Sequence, residues 1–173
     1  PMKPIQILTN NLLYDISQLS IPFDNVDKDY IQKPRRWNIE DIRKFIIYIG
    51  PVSSIFDYLT YFVMLFVFNS WQKPSLFQTG WFVESLLTQT LIIHVIRSRG
   101  LPFIQSRAHP FLILTTILIS AIGIFLVNSP FASLFGFTTL PLLYWPILVC
   151  ILIGYILLTQ IVKIYYIKKF GWN

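Results

Sequence analysis

The sequence predicts an all-α integral membrane protein with five transmembrane helices. Of its 173 residues, 54% are hydrophobic and only 13% are charged, whereas roughly a quarter of the residues in a soluble domain carry charge. The apolar residues form continuous blocks of the length that crosses a bilayer as a helix. They do not alternate with polar residues, as they would in the strands of a membrane barrel. These observations exclude a soluble domain and a β-barrel.

The apolar blocks place the five spans in chain order at about 5–23, 45–68, 81–96, 111–127 and 142–166. The first block is the most polar, and Pro22 near its end is expected to bend or end the helix, because proline lacks a backbone donor. Ahead of the second block, Asn38 is a predicted helix N-cap, with Asp41 three residues on.

Positive charge separates the connecting segments into two groups. The segments 24–44 and 97–110 are rich in Lys and Arg, and three Lys including Lys163 follow at the C-terminal end. The segment 69–80 has a single Lys, and 128–141 has no charged residue. Because basic loops stay on the cytoplasmic side, the N-terminus is predicted outside and the C-terminus inside. This topology accounts for the net charge of +6, so no nucleic-acid partner is expected.

The start of the chain suggests that the protein begins further upstream. An outside N-terminus without a signal peptide or a preceding span is unusual, and the chain opens on Pro1 rather than Met. The first span also inserts poorly alone, because an Asp near its middle costs roughly 2.5–3.5 kcal/mol. We therefore expect a fragment of a longer membrane protein.

A polar stripe on the first helix is the leading candidate site. Asn11, Asp15 and Gln18 are spaced four and three residues apart, so they share one helix face, while Leu12, Ile16 and Leu19 lie on a face suited to lipid or core. Carboxylate and amide oxygens are the ligands that Mg²⁺ prefers, and Mg²⁺ keeps several of its waters. Asp15 could instead be structural, but an ionisable residue inside a membrane favours a functional role.

Other intramembrane polar residues are less informative. Asp57 is expected to be structural. Glu84 could be either an ion ligand or a structural residue, and its predicted place nearer the outer surface weakens the case for a ligand. Two isolated His do not make a metal site. Trp81 and Tyr144 are expected to be interfacial aromatic residues.

Four stretches of the chain, in order, carry a family resemblance: "NNLLYDISQLSIPFDNVDKDYIQKPRRWN", "IGPVSSIFDYLTYFVM", "LFQTGWFVESLLTQTLIIHVIRSRGLPFIQSRA" and "YIKKFGWN". The first strongly resembles the sixth transmembrane helix and following loop of magnesium-importing P-type ATPases, and the others resemble the next parts of these proteins. The resemblance implies that residues 1–173 are the last five of ten membrane helices of an ATP-driven pump that moves Mg²⁺ into a bacterium across its inner membrane.

The resemblance also implies particular ligands. In P-type pumps the sixth helix supplies cation ligands through an Asn and an Asp four residues apart, and these positions are Asn11 and Asp15 here. Gln18 and Glu84 are the further metal-ligand candidates. The family pattern often has Gln before that Asn, whereas this chain has Asn10, which keeps an amide.

The catalytic parts of the family do not occur in the sequence. The phosphorylated "DKTGT" motif, the nucleotide-binding and actuator domains, and the fourth helix with its Pro-Glu-Gly-type break are absent. ATP is therefore expected to act only through upstream domains, and this chain alone should not hydrolyse it. The expected partners are the lipid bilayer, Mg²⁺ and the N-terminal remainder of the pump.

Two alternatives remain at this point. One is a stand-alone or truncated membrane module that binds or regulates another transporter. The other is a passive channel, which is weaker because one polar stripe makes a poor pore. The identity of the ion rests on the family, since an Asn and an Asp suit Ca²⁺ or Mn²⁺ nearly as well.

Overall fold

The regular structure of this chain is helical, as predicted. A computed structural model describes residues 2–25, 38–98, 100–101 and 107–171, and every regular element in those ranges is a helix. The five long helices are α1 (Pro4–Gln18), α2 (Ile39–Phe62), α3 (Pro74–Ile96), α4 (Pro110–Asn128) and α5 (Tyr144–Phe170). Residues 26–37, which hold most of the basic residues of the first predicted inner loop, lie outside the described ranges.

Four of the described helices are long and apolar enough to cross a membrane: α2 with its extension to Val67, α3, α4 and α5. Helix α1 has 15 residues, which is about 22 Å at 1.5 Å per residue and less than the roughly 30 Å of a bilayer core. A short 3₁₀ helix, Ile21–Phe23, follows α1 in the chain. The fifth span therefore stays a prediction.

At the end of α1, serine side chains donate hydrogen bonds to backbone carbonyls. Ser17 Oγ donates to Tyr14 O at 2.6 Å, and Ser20 Oγ donates to Ser17 O at 2.9 Å. Such local bonds compete with the helical ladder. Pro22 then lies in the 3₁₀ helix, so the prediction that the helix ends near Pro22 is confirmed.

Helix α2 begins before its apolar block, at the predicted cap. Asn38 Oδ1 accepts a hydrogen bond from Glu40 N at 3.0 Å, as an N-cap does, and the prediction for Asn38 is confirmed. The helix continues through Pro51 and ends in a π-helical segment, Val63–Val67.

Helix α3 is the central helix and packs against all four others. It begins at Pro74, well before the predicted start at 81, because proline suits the first helical position. The added turns hold the polar residues Gln78 and Thr79, which lower the hydropathy of the segment but are buried. This start places Glu84 near the middle of the helix, so the expectation that it lies near the outer end is wrong.

Close contact between α2 and α3 depends on Gly80. Met64, at 0% exposure, lies so near that a Cβ on Gly80 would be 2.5 Å from its sulfur. Around this contact the largest core cluster includes Phe82, Leu86 and Phe137. Large apolar side chains such as Phe125 on α4 are exposed on the outside of the bundle, as expected for a surface that faces lipid.

Candidate functional site

The candidate ligands Asn11 and Asp15 lie on an exposed face of α1. Gln18, the third member of the stripe, is half-buried beside Tyr14. The predicted face is therefore formed, and it points away from the other described helices. Oxygen atoms on this face are free to meet groups that come from outside the described bundle.

The buried face of α1 is polar, which the sequence did not indicate. It carries Gln6, Asn10 and Ser17 together with Leu13, and the side chains of Gln6 and Asn10 are only 0% and 4% exposed. Gln6 Nε2 donates to Phe135 O at 3.0 Å. Helix α1 is thus attached to the bundle partly through hydrogen bonds.

The leucine and isoleucine residues expected to pack on lipid or core are exposed. Leu12, Ile16 and Leu19 have exposed fractions of 58%, 42% and 69%, which suits contact with lipid. A further hydrogen bond, 2.7 Å between the hydroxyls of Ser20 and Thr115, fixes the end of α1 against α4.

Glu84 belongs to a different cluster from Asn11 and Asp15. It is 1% exposed and lies close enough to Asp57 of α2 to interact with it electrostatically, and no described contact joins it to Asn11 or Asp15. Within the described ranges, no group of three His, Cys, Asp or Glu side chains is arranged to hold a metal ion. The structure therefore does not unite the four candidate ligands.

Two aromatic residues predicted to be only interfacial take part in the interior. Trp81 Nε1 donates to Asp57 Oδ1 at 3.0 Å, and Tyr144, 1% exposed, donates its hydroxyl hydrogen to Gly80 O at 2.6 Å. An interfacial position alone does not account for these two contacts. The sequence held one signal for the position of Trp81. Trp81 and Glu84 are three residues apart, and residues at that spacing share a helix face.

The contacts extend from α3 and α2 to α5. Ser53 Oγ and Tyr155 Oη are 2.9 Å apart, and the ring of Tyr155 meets that of Phe56 edge-on with centroids 5.5 Å apart. Polar and aromatic contacts of α2 thus reach both neighbouring helices.

The predicted inner ends of α1, α3 and α4 meet at one ion pair. Arg97 Nε donates to Asp24 Oδ2 at 2.5 Å, Arg97 Nη2 donates to Asp24 Oδ1 at 3.1 Å, and His109 N donates to the same Oδ1 at 2.8 Å. Burial alone would raise the pKa of Asp24, but the hydrogen bonds from Arg97 and from backbone amides outweigh burial, and the pKa is lowered. Asp24 is therefore held as an ionised carboxylate.

The charge pattern of the sequence placed Lys163 in a solvated C-terminal tail. The structure shows that it does not lie there. It is on α5, fully buried, and its Nζ donates to Val95 O at 2.7 Å, Ser98 O at 3.1 Å and Gly100 O at 2.9 Å. The last carbonyls of a helix lack partners within the helix, and a cation at that end is favourable. Lys163 therefore caps the end of α3.

His94 has a structural partner. Its Nε2 is 2.8 Å from Thr116 Oγ1 of α4 in a buried contact. This contact joins α3 to α4.

The fold and these sites agree with one class of membrane protein. A family described as "Cation transporting ATPase, C-terminus" matches residues 1–165. The chain belongs to this family, and with its apolar helices it is a region of a membrane protein.

The relatives of the chain are bacterial proteins. It is 53% identical over its whole length to "Magnesium-transporting ATPase, P-type 1" of Salmonella typhimurium strain LT2 and to the protein of the same name from Escherichia coli strain K12. A second Salmonella typhimurium protein of that name is 50% identical over 99% of the chain. The chain spans about a fifth of the length of these relatives, covering 19% or 20% of each.

Proposed function

We propose that this chain is the C-terminal membrane portion of an ATP-driven Mg²⁺ importer in the inner membrane of a bacterium, where it supplies part of the cation site. Asn11 and Asp15 are the proposed ligands, and Gln18 and Glu84 are further candidates. The names of the relatives support Mg²⁺ as the transported ion, and the amide and carboxylate oxygens of α1 fit a hard cation.

The exposed face of α1 is the observation that carries this proposal. Asn11 and Asp15 face away from the described bundle, while Gln6 and Asn10 attach the other side of the helix to it. Mg²⁺ requires near-octahedral coordination, more than two side chains provide. Retained waters and groups from the rest of the pump complete the site on the open side of α1.

The energy for transport comes from ATP in the N-terminal remainder of the pump, and this chain contributes no step of ATP chemistry. The chain is proposed to enter from the outside and to end in the cytoplasm. The basic segments 24–44 and 97–110 support this orientation.

A separate regulatory membrane module is not favoured. The identity of about half is measured over the whole chain. A module that only bound another transporter would not need an exposed carboxylate within its first helix.

Asp15→Asn in the pump that carries this region tests the proposal. We expect loss of Mg²⁺ uptake and of growth at low Mg²⁺, because the substitution removes the charge that attracts the ion but keeps the size of the side chain. Mg²⁺ uptake into right-side-out vesicles loaded with ATP is the measurement. Uptake that equals the wild type at all Mg²⁺ concentrations would remove Asp15 from the site.

The matched control is Glu40→Gln. This variant also loses a carboxylate, but Glu40 is exposed at the start of α2, 3.9 Å from Lys44, and is not on α1. We expect uptake to be unchanged. Equal losses in both variants would mean that expression or net charge, rather than coordination, had been measured.

A further inference from the structure

The loop between α4 and α5 presents large apolar side chains on its surface. This α4–α5 loop, residues 129–143, contains no charged residue. The exposed fractions of Phe131, Leu134 and Leu142 are 58%, 72% and 87%. Single exposed apolar side chains are common on soluble proteins, but several in one short uncharged segment mark a contact surface.

The first part of the loop is a 3₁₀ helix, Pro130–Phe135, with two different faces. Side chains three residues apart lie on the same face of a 3₁₀ helix. Ala132 and Phe135 pack against the largest core cluster of the bundle, whereas Phe131 and Leu134 are exposed. The helix therefore has one apolar face that the fold covers and a second apolar face that the described part of the chain leaves uncovered.

The backbone of the loop finds hydrogen-bond partners within the protein. Gly136 N and Phe137 N donate to carbonyls of the 3₁₀ helix, and Thr138 N donates to Thr79 Oγ1 of α3 at 3.1 Å. The apolar part of a bilayer offers no partners to backbone groups, so a segment enters it only where these groups are bonded internally. The loop meets this condition at these amides.

The loop is also attached to two helices of the bundle. Phe135 O accepts a hydrogen bond from Gln6 Nε2 of α1 at 3.0 Å. The ring of Phe137 packs on that of Phe82 of α3, with centroids 4.5 Å apart. The exposed face of the loop is therefore held in one position relative to α1 and α3.

The neighbouring helix surfaces indicate what covers this face. Phe125 near the end of α4 and Val149 near the start of α5 are exposed, and both helices are long and apolar enough to cross a membrane. The loop joins these two helix ends, so its apolar face borders their lipid-facing surface. Because the loop has no charged residue, it offers no charge with which a soluble partner could pair.

We infer that the α4–α5 loop is an interfacial membrane anchor, whose exposed side chains Phe131, Leu134 and Leu142 lie among the lipids of one leaflet. An amphipathic segment at a membrane surface places its apolar face about 5–10 Å into the boundary between headgroups and acyl chains. The proposed function assigns no role to this loop. Through the bond to Gln6, the anchor connects the bilayer to one end of α1.

Spin labels on single cysteines measure where these side chains lie. The intact protein that carries this region is prepared without native cysteines, Cys150 included, and is reconstituted into liposomes of phosphatidylethanolamine and phosphatidylglycerol. Phe131→Cys, Leu134→Cys and Leu142→Cys are then labelled one at a time with a nitroxide. Power-saturation electron paramagnetic resonance compares the collisions of each label with oxygen, which concentrates in lipid, and with Ni-EDDA, which stays in water.

We expect all three labels to collide preferentially with oxygen, at a depth of about 5–10 Å. A label on retained Cys150, which is exposed on α5, gives the reference for lipid. Glu40→Cys, at an exposed position that starts α2, gives the reference for water. Ser133→Cys is the matched control, because Ser133 is exposed between Ala132 and Leu134 on another face of the same 3₁₀ helix, and its label should lie closer to water.

Three results would overturn the inference. Collisions with Ni-EDDA as frequent as those of the Glu40→Cys label would place the loop in water. Labels that neither reagent reaches would place the face against protein. Equal depths for the labels of Ser133→Cys and Leu134→Cys would show that the 3₁₀ helix does not rest with one face in the bilayer.

The design separates these results from failures of folding and of transport. Circular dichroism identifies a variant that fails to fold, and each of the three labelled positions reports independently of the other two. The measurement uses no Mg²⁺ and no transport, so it can succeed even when Asp15→Asn shows that the proposed cation site is wrong.

Discussion

Replacing Asp24 with asparagine removes the charge that joins α1 to α3 and α4. The carboxylate accepts two bonds from Arg97 and one from the backbone of His109. In the variant, the oxygen of the amide can still accept from His109, but its NH₂ group faces the donors of Arg97. Arg97 then keeps its charge but loses the carboxylate, while its Nη2 can still donate to Asn25 O and Arg107 O.

The size of the effect follows from the burial of the pair. The side chains of Arg97 and Asp24 are 7% and 11% exposed, and removing one partner of a buried ion pair costs about 3–5 kcal/mol. Because the pair lies at helix ends, where water can solvate Arg97 after the change, the lower part of that scale applies. We expect the free energy of unfolding to fall by roughly 2–3 kcal/mol.

The pH dependence has a definite sign. The pKa of Asp24 is lowered in the folded protein, so its contribution is fully present above the ordinary Asp value of about 3.9. The contribution is lost as the pH falls through the lowered folded value. The wild type should therefore lose stability in acid, and the difference between wild type and Asp24→Asn should shrink there.

Reversible unfolding in mixed detergent micelles, followed by circular dichroism at neutral and acidic pH, measures both quantities. Asp41→Asn is the matched control, because Asp41 is 3.7 Å from Lys44 in a more exposed pair. Its expected effect is below about 0.5 kcal/mol. Equal effects of the two substitutions, or a difference for Asp24→Asn that does not change with pH, would refute the reasoning.

Three further predictions concern contacts between helices. Lys163→Met should lower the free energy of unfolding by about 3 kcal/mol or more, because three carbonyls at the end of α3 lose their donor; a change under about 1 kcal/mol in denaturant titration would contradict the capping role. Gly80→Ala should destabilise the chain by about 1–3 kcal/mol through its clash with Met64, and Met64→Ala in the same chain should make the Gly80→Ala step less destabilising, as measured by thermal unfolding. Ser53→Ala and Tyr155→Phe should be non-additive in a double-mutant cycle, with a coupling of about 1 kcal/mol; additive effects would show that the hydroxyl contact contributes nothing.

Much of the fold could be predicted because its signals are local. The apolar blocks identify α4 and α5 almost to their ends, and Asn38 marks the start of α2. The start of α3 could not be predicted in the same way. Hydropathy treats Gln78 and Thr79 as solvent-facing, but in the folded chain neighbouring helices bury them.

The candidate site shows the same limit. Helical spacing alone placed Asn11 and Asp15 on one face, and the structure keeps them there. Spacing could not indicate that Asn10 faces the interior, or that Glu84 lies near Asp57 rather than near the stripe. Those facts depend on how helices distant in sequence pack, and no pattern within one helix contains that information.

The cap that Lys163 forms has a consequence for biogenesis. Lys163 lies 63 to 68 residues after the carbonyls it binds, those of Gly100, Ser98 and Val95. During synthesis, α3 is therefore complete well before the lysine that caps its end has been added. The membrane domain reaches its final packing only after the last helix has been inserted, and a nascent chain stopped before Lys163 would expose an unfinished helix end that cellular quality control can recognise.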